Sequence, residues 1–433
     1  MFVTGRLPAL IALGVIPVIV LSGLDSWWVA GGWLVLCLVT AGADAAAAAD
    51  PRRVRVQREL PRRALLHSRV EQTLRLRAVG GRRVRGLLRD AWQPTAGAPA
   101  QRIPVQLEPD ESISVAVPLR PRRRGELVSQ FVVLRSNGPL GLAGRQARLP
   151  ARGALRVLPP FTARRHLPSR LARLRELDGS TSVLIRGPGT EFDSLRPYVR
   201  GDDVRSIDWR ATARAGTTML RTWRPERDRH VVVVIDTGRT SAARVGDGVR
   251  LDAEIEATLL LAALAAQAGD HVHVIMFDRL VRARVSGVDG EALLPALVDA
   301  MAPVEPSLID TDWDGAFAQL RALAVRPSLL VLLTAQDEPD AARGFLGSLP
   351  GVTAGTQVLV GTVTDTALAE RARARGTVGE VYRAAAAEQT LADAARVAAA
   401  VRRAGADVVA DAPDELPPRI ADRYLQLKAA GRL

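Results

Sequence analysis

The chain has 433 residues, 48% of them hydrophobic, and a formal net charge of +13 from 59 basic and 46 acidic side chains. That length and apolar share exclude wholesale disorder and leave room for more than one core. Lys428 is the only lysine, so the basicity is nearly all arginine, the mark of a GC-rich genome rather than of a nucleic-acid footprint. A single cysteine, Cys37, excludes an internal disulfide framework and fits a reducing compartment.

Two uncharged runs open the chain, residues 7–24 and 26–43, with Asp25 between them. Each approaches the ~20 apolar residues of a membrane span, and Pro17 is tolerated in lipid. Trp27, Trp28 and Trp33 stand near the joint, where indoles favour the interface. A cleaved signal peptide competes, because residues 43–49 are mostly alanine. Against it, Arg6 is the whole basic n-region and there are two apolar runs. The expectation is a retained transmembrane helical hairpin over residues 1–50. Residues 52–90 then carry 13 arginines against three acids, Glu59, Glu71 and Asp90. By the positive-inside rule this predicts a multi-pass inner-membrane protein with its soluble domains cytoplasmic and some arginines at anionic headgroups. No aromatics interleave with those arginines, so nucleic acid is not an expected partner.

Across residues 52–158 the pattern becomes short alternating runs such as VRVQREL, VEQTLRLRAV and ELVSQFVVLRS. Turns at Gly80-Gly81, Pro109-Asp110 and Asn137-Gly138 separate them. This predicts an all-β antiparallel sandwich of six or seven strands. Residues 159–228 form a linker, with a short helix over 169–177, and then a dense charged segment. From residue 229 the chain alternates. The strand RHVVVVID ends on Asp236 and is followed by a helix over 251–267, a strand over 271–277 and its hairpin partner over 280–286. Helices over 290–301 and 312–323, strands over 328–334, 357–363 and 378–382, a helix over 388–403 and an amphipathic tail helix from 417 complete it. Residues 229–433 therefore predict an α/β, Rossmann-like domain with a mainly parallel, doubly wound sheet.

The charged segment, residues 186–214, interleaves Glu191, Asp193, Asp202, Asp203 and Asp208 with Arg196, Arg200, Arg205, Arg210 and Arg214. Phe192, Leu195, Tyr198, Ile207 and Trp209 lie among them, which predicts a folded ionic network with apolar anchors. Gly187-Pro188-Gly189 lacks the lysine and hydroxyl of a phosphate loop. The string G-x-E-F-x-x-L-R-x-Y-x-x-G-D-D-x-R-x-I-D-W-x-x-T-A-R resembles the signature of the bacterial domain-of-unknown-function family 58. The turn after ELVSQFVVLRS and the C-terminal tail are similar to that family as well. The resemblance implies a von Willebrand factor A-like domain over residues 229–433. It also implies interaction residues at Glu191, Arg196, Tyr198, Gly201, Asp202, Asp203, Arg205, Asp208, Trp209, Thr212 and Arg214.

That fold implies a divalent-metal site held by Asp-x-Ser-x-Ser, a distant Thr and a further Asp. Here Asp236, Thr240 and Thr311 match, Gly238 replaces the first serine, Ala335 stands where the last Asp is expected, and Asp337 lies two residues on. The set offers a degenerate Mg site, but the favoured expectation is a vestigial loop in which Asp236 caps a helix or pairs with Arg239. Family members of this type are linked with MoxR-type AAA+ ATPases and membrane transglutaminase-like proteins. The expected function is therefore a membrane-anchored, cytoplasm-facing adaptor or chaperone-like protein, not an enzyme. The competing expectation is a metal-dependent hydrolase using the acidic signature, Glu191 with Asp193 or Asp202 with Asp203. Neighbouring arginines would hold those acids ionised, and the five histidines show no metal-protease spacing.

Overall fold

The computed structural model describes the chain apart from residues 22, 24, 81, 182–190, 200, 201, 225–228 and 247, and for residues 178–181, 191–194 and 222–224 it describes the backbone alone. The chain divides into two units, Met1–Leu158 and Pro159–Leu433.

The first unit opens with a two-residue strand, β1 (Phe2–Val3), followed by α1 (Arg6–Ala12), α2 (Val15–Val20) and α3 (Ser26–Ala47). Among the described residues only α3 is long and apolar enough to cross a membrane. The expected second span is a shorter arm, Arg6–Val20, broken between α1 and α2. The break falls at Leu13–Gly14, where Pro17 supplies no N–H for the Leu13 carbonyl and its ring crowds it, and Trp33 packs into the gap. Its indole N–H donates to the Leu10 carbonyl at 3.1 Å, and the Gly14 N–H turns to Ile11 instead. A Cβ on Gly14 would stand 2.4 Å from the Trp33 ring, so only glycine fits there. Trp33 is thus a packing residue between the arms, whereas Trp27 and Trp28 are 86% and 82% exposed. Cys37 also faces inward, against Leu7, Ala41, Ala45 and Ala143 rather than outward.

The end of α3 is fastened to the strands that follow. These are β2 (Val54–Glu59), β3 (Arg63–Leu65), β4 (Val70–Ala78), β5 (Val84–Asp90), β6 (Ile103–Leu107), β7 (Ser112–Leu119), β8 (Gly125–Asn137) and β9 (Ala143–Leu158). Asp44, 2% exposed, accepts the backbone N–H groups of Leu140, Leu142 and Ala143 at 2.7, 2.8 and 3.0 Å. The β8–β9 turn comes so close that a Cβ on Gly138 would lie 2.3 Å from the Asp44 carboxylate. Arg145 caps the helix end by donating to the Ala45 and Ala46 carbonyls.

The strands form two sheets, β1-β9-β8-β5-β6 with β3 beside β9, and β2-β4-β7. In β4 every second residue is buried, as its alternating sequence requires. Leu74 and Leu76 from one sheet meet Leu88, Leu107, Val132 and Leu134 from the other in a shared core. Inside it Arg58 and Asp90 form a buried ion pair at 2.7 Å, and Gln72 and Ser129 take up the remaining donors and acceptors. A buried pair this completely hydrogen-bonded offsets the desolvation of its charges.

The second unit begins with α4 (Leu167–Thr181), then β10 (Glu191–Pro197), α5 (Trp209–Ala215) and β11 (Met219–Arg224), where β10 and β11 pair antiparallel as a separate sheet. Next come β12 (His230–Asp236), β13 (Arg244–Val245), β14 (Gly248–Val249), α6 (Arg250–Gln267), β15 (His271–Phe277), β16 (Val281–Val285), α7 (Leu293–Met301) and α8 (Trp313–Arg321). The last elements are β17 (Pro327–Leu333), α9 (Arg343–Ser348), α10 (Pro350–Thr353), β18 (Gln357–Val363), α11 (Thr366–Arg373), α12 (Val378–Arg403), β19 (Asp407–Asp411) and α13 (Leu416–Ala429). The main sheet has the order β16-β15-β12-β17-β18-β19, parallel except for β16. Its strands are apolar on both faces because both are covered. Val231, Val233 and Ile235 pack towards α6, α7 and α13, while Val232 and Val234 pack towards α8, α9 and α12.

Residues 378–382, expected as a strand, are the first turn of α12. Thr377 and Glu380 form a reciprocal capping box that starts a helix there. The sixth strand of the sheet is β19, which the apolar pattern did not mark. If the Asp44 clasp holds α3 to the sandwich, Asp44→Ala should lower the unfolding temperature of the detergent-solubilised full chain. The change leaves buried N–H groups unpaired, costing ~3 kcal/mol. An unchanged melting curve would show that the clasp contributes nothing.

Candidate functional site

In the main sheet the connection order reverses between β12 and β17, and open α/β sheets bind ligands in the crevice outside the strand ends at such a point. Asp236 ends β12 there and is 1% exposed. Its Oδ1 accepts the Gly238 N–H at 2.7 Å and the Thr311 hydroxyl at 2.5 Å. Its Oδ2 accepts the hydroxyls of Thr240 at 3.0 Å and Thr334 at 2.7 Å. The sequence-predicted trio of Asp236, Thr240 and Thr311 is therefore brought together, with Thr334 added. The signal for Thr334 was its place just after the buried strand SLLVLLT.

The corner offers a divalent ion one carboxylate, already accepting four hydrogen bonds, and the hydroxyl oxygens of Thr240, Thr311 and Thr334, a donor set low in negative charge for a hard cation. A side chain at Gly238 is sterically barred: its Cβ would stand 2.3 Å from Thr311 Oγ1. Nearby acids are engaged elsewhere. Asp337 pairs with Arg250 at 2.5 Å, Asp278 with Arg282 at 2.6 Å, and Asp310 with Arg239 at 2.9 Å. Arg239 therefore does not pair with Asp236. Asp312 accepts the Gly315 N–H and caps α8. For Asp278, burial raises the carboxyl pKa, but Arg282 and the N–H groups of Arg279 and Leu280 outweigh it and hold it below the ordinary range.

Glu254, on α6, was missed by sequence reasoning. It is 0% exposed, and among the described residues only the Ser241 hydroxyl is set against its carboxylate, too poorly aligned for a well-formed hydrogen bond. Burial, and then the nearby Asp236 charge, push its carboxyl well above the usual range. It looks in sequence like one more polar position on a helix, and only the packing of α6 under β12 buries it.

In the signature segment the acids serve the backbone. Asp202 accepts the Arg196 guanidinium at 2.6 Å and the Val199 N–H at 2.9 Å. Asp203 accepts the Arg205 N–H at 3.0 Å. Asp208 caps α5 through the N–H groups of Arg210 and Ala211 and receives Arg221 at 2.7 Å. The Ala211 N–H, then Arg221, hold its carboxyl below the ordinary range. Thr212 Oγ1 accepts the Met219 N–H, and the Tyr198 N–H reaches Thr218. Arg205 and Arg214 are exposed. Trp209, expected as an apolar anchor, is 71% exposed, because Asp208 starts the helix with the indole turned outward. Leu195 is also exposed. Gly201, Arg200, the loop 187–189 and the side chains of Glu191, Phe192 and Asp193 lie outside the described residues. The histidines lie away from this end of the sheet: His230 and His273 contact each other at 3.0 Å where β12 and β15 begin.

The family model described as "Protein of unknown function DUF58" matches residues 194–410, half of the chain. The chain is a member of that family of α/β-containing proteins of unestablished function. An uncharacterised protein of Mycobacterium bovis is 25% identical over 160 residues, 36% of this chain and 50% of the relative. Uncharacterised proteins of two Mycobacterium tuberculosis strains match equally, so the chain spans about half the length of the curated relatives it matches. Among solved structures, a solution structure and a crystal structure of the CARDB domain of a Pyrococcus furiosus protein are 15% identical. Each covers 24% of this chain and 94% or 86% of that domain, with TM-scores of 0.20 and 0.18, too low to carry an argument.

The raised carboxyl of Glu254 carries a pH signature. A folded-state pKa above the unfolded one means stability is greatest below the unfolded value and is lost as pH rises towards the folded one. Glu254→Gln should abolish that loss. Over this window its stability relative to the parent should grow with pH by up to ~1.4 kcal/mol per unit. Parallel parent and variant profiles in thermal melts from acid to neutral pH would show that Glu254 does not titrate in this way.

Proposed function

We propose that this chain is a membrane-anchored, cytoplasm-facing protein-interaction module, an adaptor or chaperone-like protein rather than an enzyme. The carrying observation is the commitment of the acids: Asp202, Asp203, Asp208, Asp236, Asp278 and Asp337 are all held by backbone caps, hydroxyls or arginines. A general acid or base needs a proton to move and a carboxylate free to meet it. What the signature presents outward is Trp209, Val199 and Val204 beside Arg205 and Arg214, a surface suited to a partner with apolar and acidic groups. The sheet order and the position of Asp236 support a von Willebrand A-like reading of the second unit. In this reading the switch-point loops are held by hydrogen bonds and require no Mg. A MoxR-type AAA+ ATPase is the proposed partner, with a membrane transglutaminase-like protein as a further one; both rest on the family resemblance.

Anchoring is supported by the sleeve of exposed apolar side chains on the helical arms, including Val15, Ile19, Leu34, Val35, Leu38 and Val39. Cleavage as a signal peptide is disfavoured because Asp44, Ala45, Ala48 and Ala49 are buried in the first unit. The arginine-rich stretch after α3 supports, through the positive-inside rule, a cytoplasmic side for the soluble mass.

The test is affinity capture of the solubilised full chain from host membranes, with Mg²⁺ or with EDTA. An AAA+ ATPase should be recovered in both conditions. Trp209→Ala with Arg205→Ala should reduce recovery roughly tenfold or more, while the melting temperature stays within error because both side chains are exposed. Recovery only with Mg²⁺ would overturn the metal-free reading. Absence of an ATPase, together with turnover lost in Asp202→Ala, would favour the metal-dependent hydrolase.

A further inference from the structure

Where α3 runs into the sandwich, a cavity of about 490 Å³ opens between the helix end, the start of β2 and the β4–β5 connection. Ala48, Asp50 and Val79 line it together with three arginines, Arg53, Arg82 and Arg145. Among the described residues none of the three arginines forms an ion pair with a carboxylate. Arg145 is fixed by the Ala45 and Ala46 carbonyls at 3.0 and 3.1 Å. Arg53 lies over Gly80, where a Cβ would stand 3.2 Å from its Nη1, so the glycine makes room for the guanidinium. The one acid, Asp50, is partly engaged, accepting the Arg52 N–H at 3.0 Å. Three guanidiniums against one carboxylate leave the cavity cationic, with the fork geometry that suits phosphate oxygens.

Its height along the helix decides the ligand. From the exposed pair Trp27 and Trp28 to Ala43, just before the Asp44 clasp, is about 24 Å at ~1.5 Å per residue, close to the span of a bilayer's hydrocarbon core. With the tryptophans at one interface, residues 48–53 and the cavity stand at the opposite headgroup layer. Cationic pockets at that depth bind anionic lipid headgroups. We propose that this cavity holds the phosphate of an anionic phospholipid, seated by Arg53, Arg82 and Arg145. The site rests on the anchored reading of α3 and gives the first unit a lipid-dependent attachment beyond the apolar helix itself.

The experiment uses the full chain, floated with phosphatidylcholine vesicles that contain or lack phosphatidylglycerol, and then native mass spectrometry of retained lipid. The parent should float with both vesicles and retain phosphatidylglycerol selectively. Arg53→Gln with Arg82→Gln should float equally but retain roughly tenfold less phosphatidylglycerol; Arg145 is left in place because it also caps α3. Arg148→Gln with Arg152→Gln, equal in charge and further along β9, should retain it like the parent. Equal losses in both double variants would reduce the effect to diffuse attraction and overturn the site. Displacement of the lipid by inorganic phosphate at equal concentration would assign the cavity to free phosphate instead. Failure of the parent to float with either vesicle would sink the anchored reading and the site with it, whereas flotation without selectivity would sink the site alone.

Discussion

A carboxylate withdrawn from water must be met by donors, and each main joint of this protein is a place where that happens. Asp44 holds the β8–β9 turn to the end of α3. Asp90 receives Arg58 and Gln72 between the two sheets of the sandwich. Asp270 takes the Tyr424 hydroxyl at 2.5 Å and the ammonium of Lys428 at 3.0 Å, fastening α13 beneath the main sheet. Asp236 ties β12, β17 and the loop carrying Thr311 at the switch point. Hydrophobic burial supplies most of the stability, but it is non-directional. The directional contacts settle which turn meets which helix.

The same constraint limits the chemistry. Four donors around Asp236 make a densely bonded corner, and arginines nearby neutralise acids that would otherwise add charge to it. The exception is Glu254, whose buried carboxyl is met by little more than the Ser241 hydroxyl and answers the constraint by favouring its neutral form. A loop end this densely bonded is a scaffold for surface residues. In the signature segment too the acids fix backbone while tryptophan and arginine face outward.

Much of the architecture was legible in the residues. Unbroken apolar strands such as RHVVVVID and SLLVLLT predict a sheet covered on both faces, and alternating ones predict a sandwich. The signature string located the family, but its acids make separate local contacts: Asp202 with Arg196, Asp203 with the Arg205 N–H, and Asp208 with the start of α5 and Arg221. Three features were not legible. Residues 378–382 have the composition of a strand, but a capping box, a local bond between Thr377 and Glu380, made them helix. Trp209 has the composition of an anchor, yet the cap at Asp208 fixes its direction outward. The first apolar run had nearly the length of a span, but it breaks at Leu13–Gly14 ahead of Pro17, and the Trp33 indole holds the broken turn by reaching the Leu10 carbonyl.

The sequence by itself determined the period of most strands and helices, the family, the apolar start and the cationic block behind it. These follow from composition and spacing, which act locally along the chain. Only the tertiary structure decided that Thr334 completes the Asp236 corner, that Gly238 has no room for a side chain, that Glu254 is buried, and that Arg53, Arg82 and Arg145 line one cavity. Each of those joins residues far apart in the chain, and their meeting depends on strand order and helix packing, which no local pattern encodes.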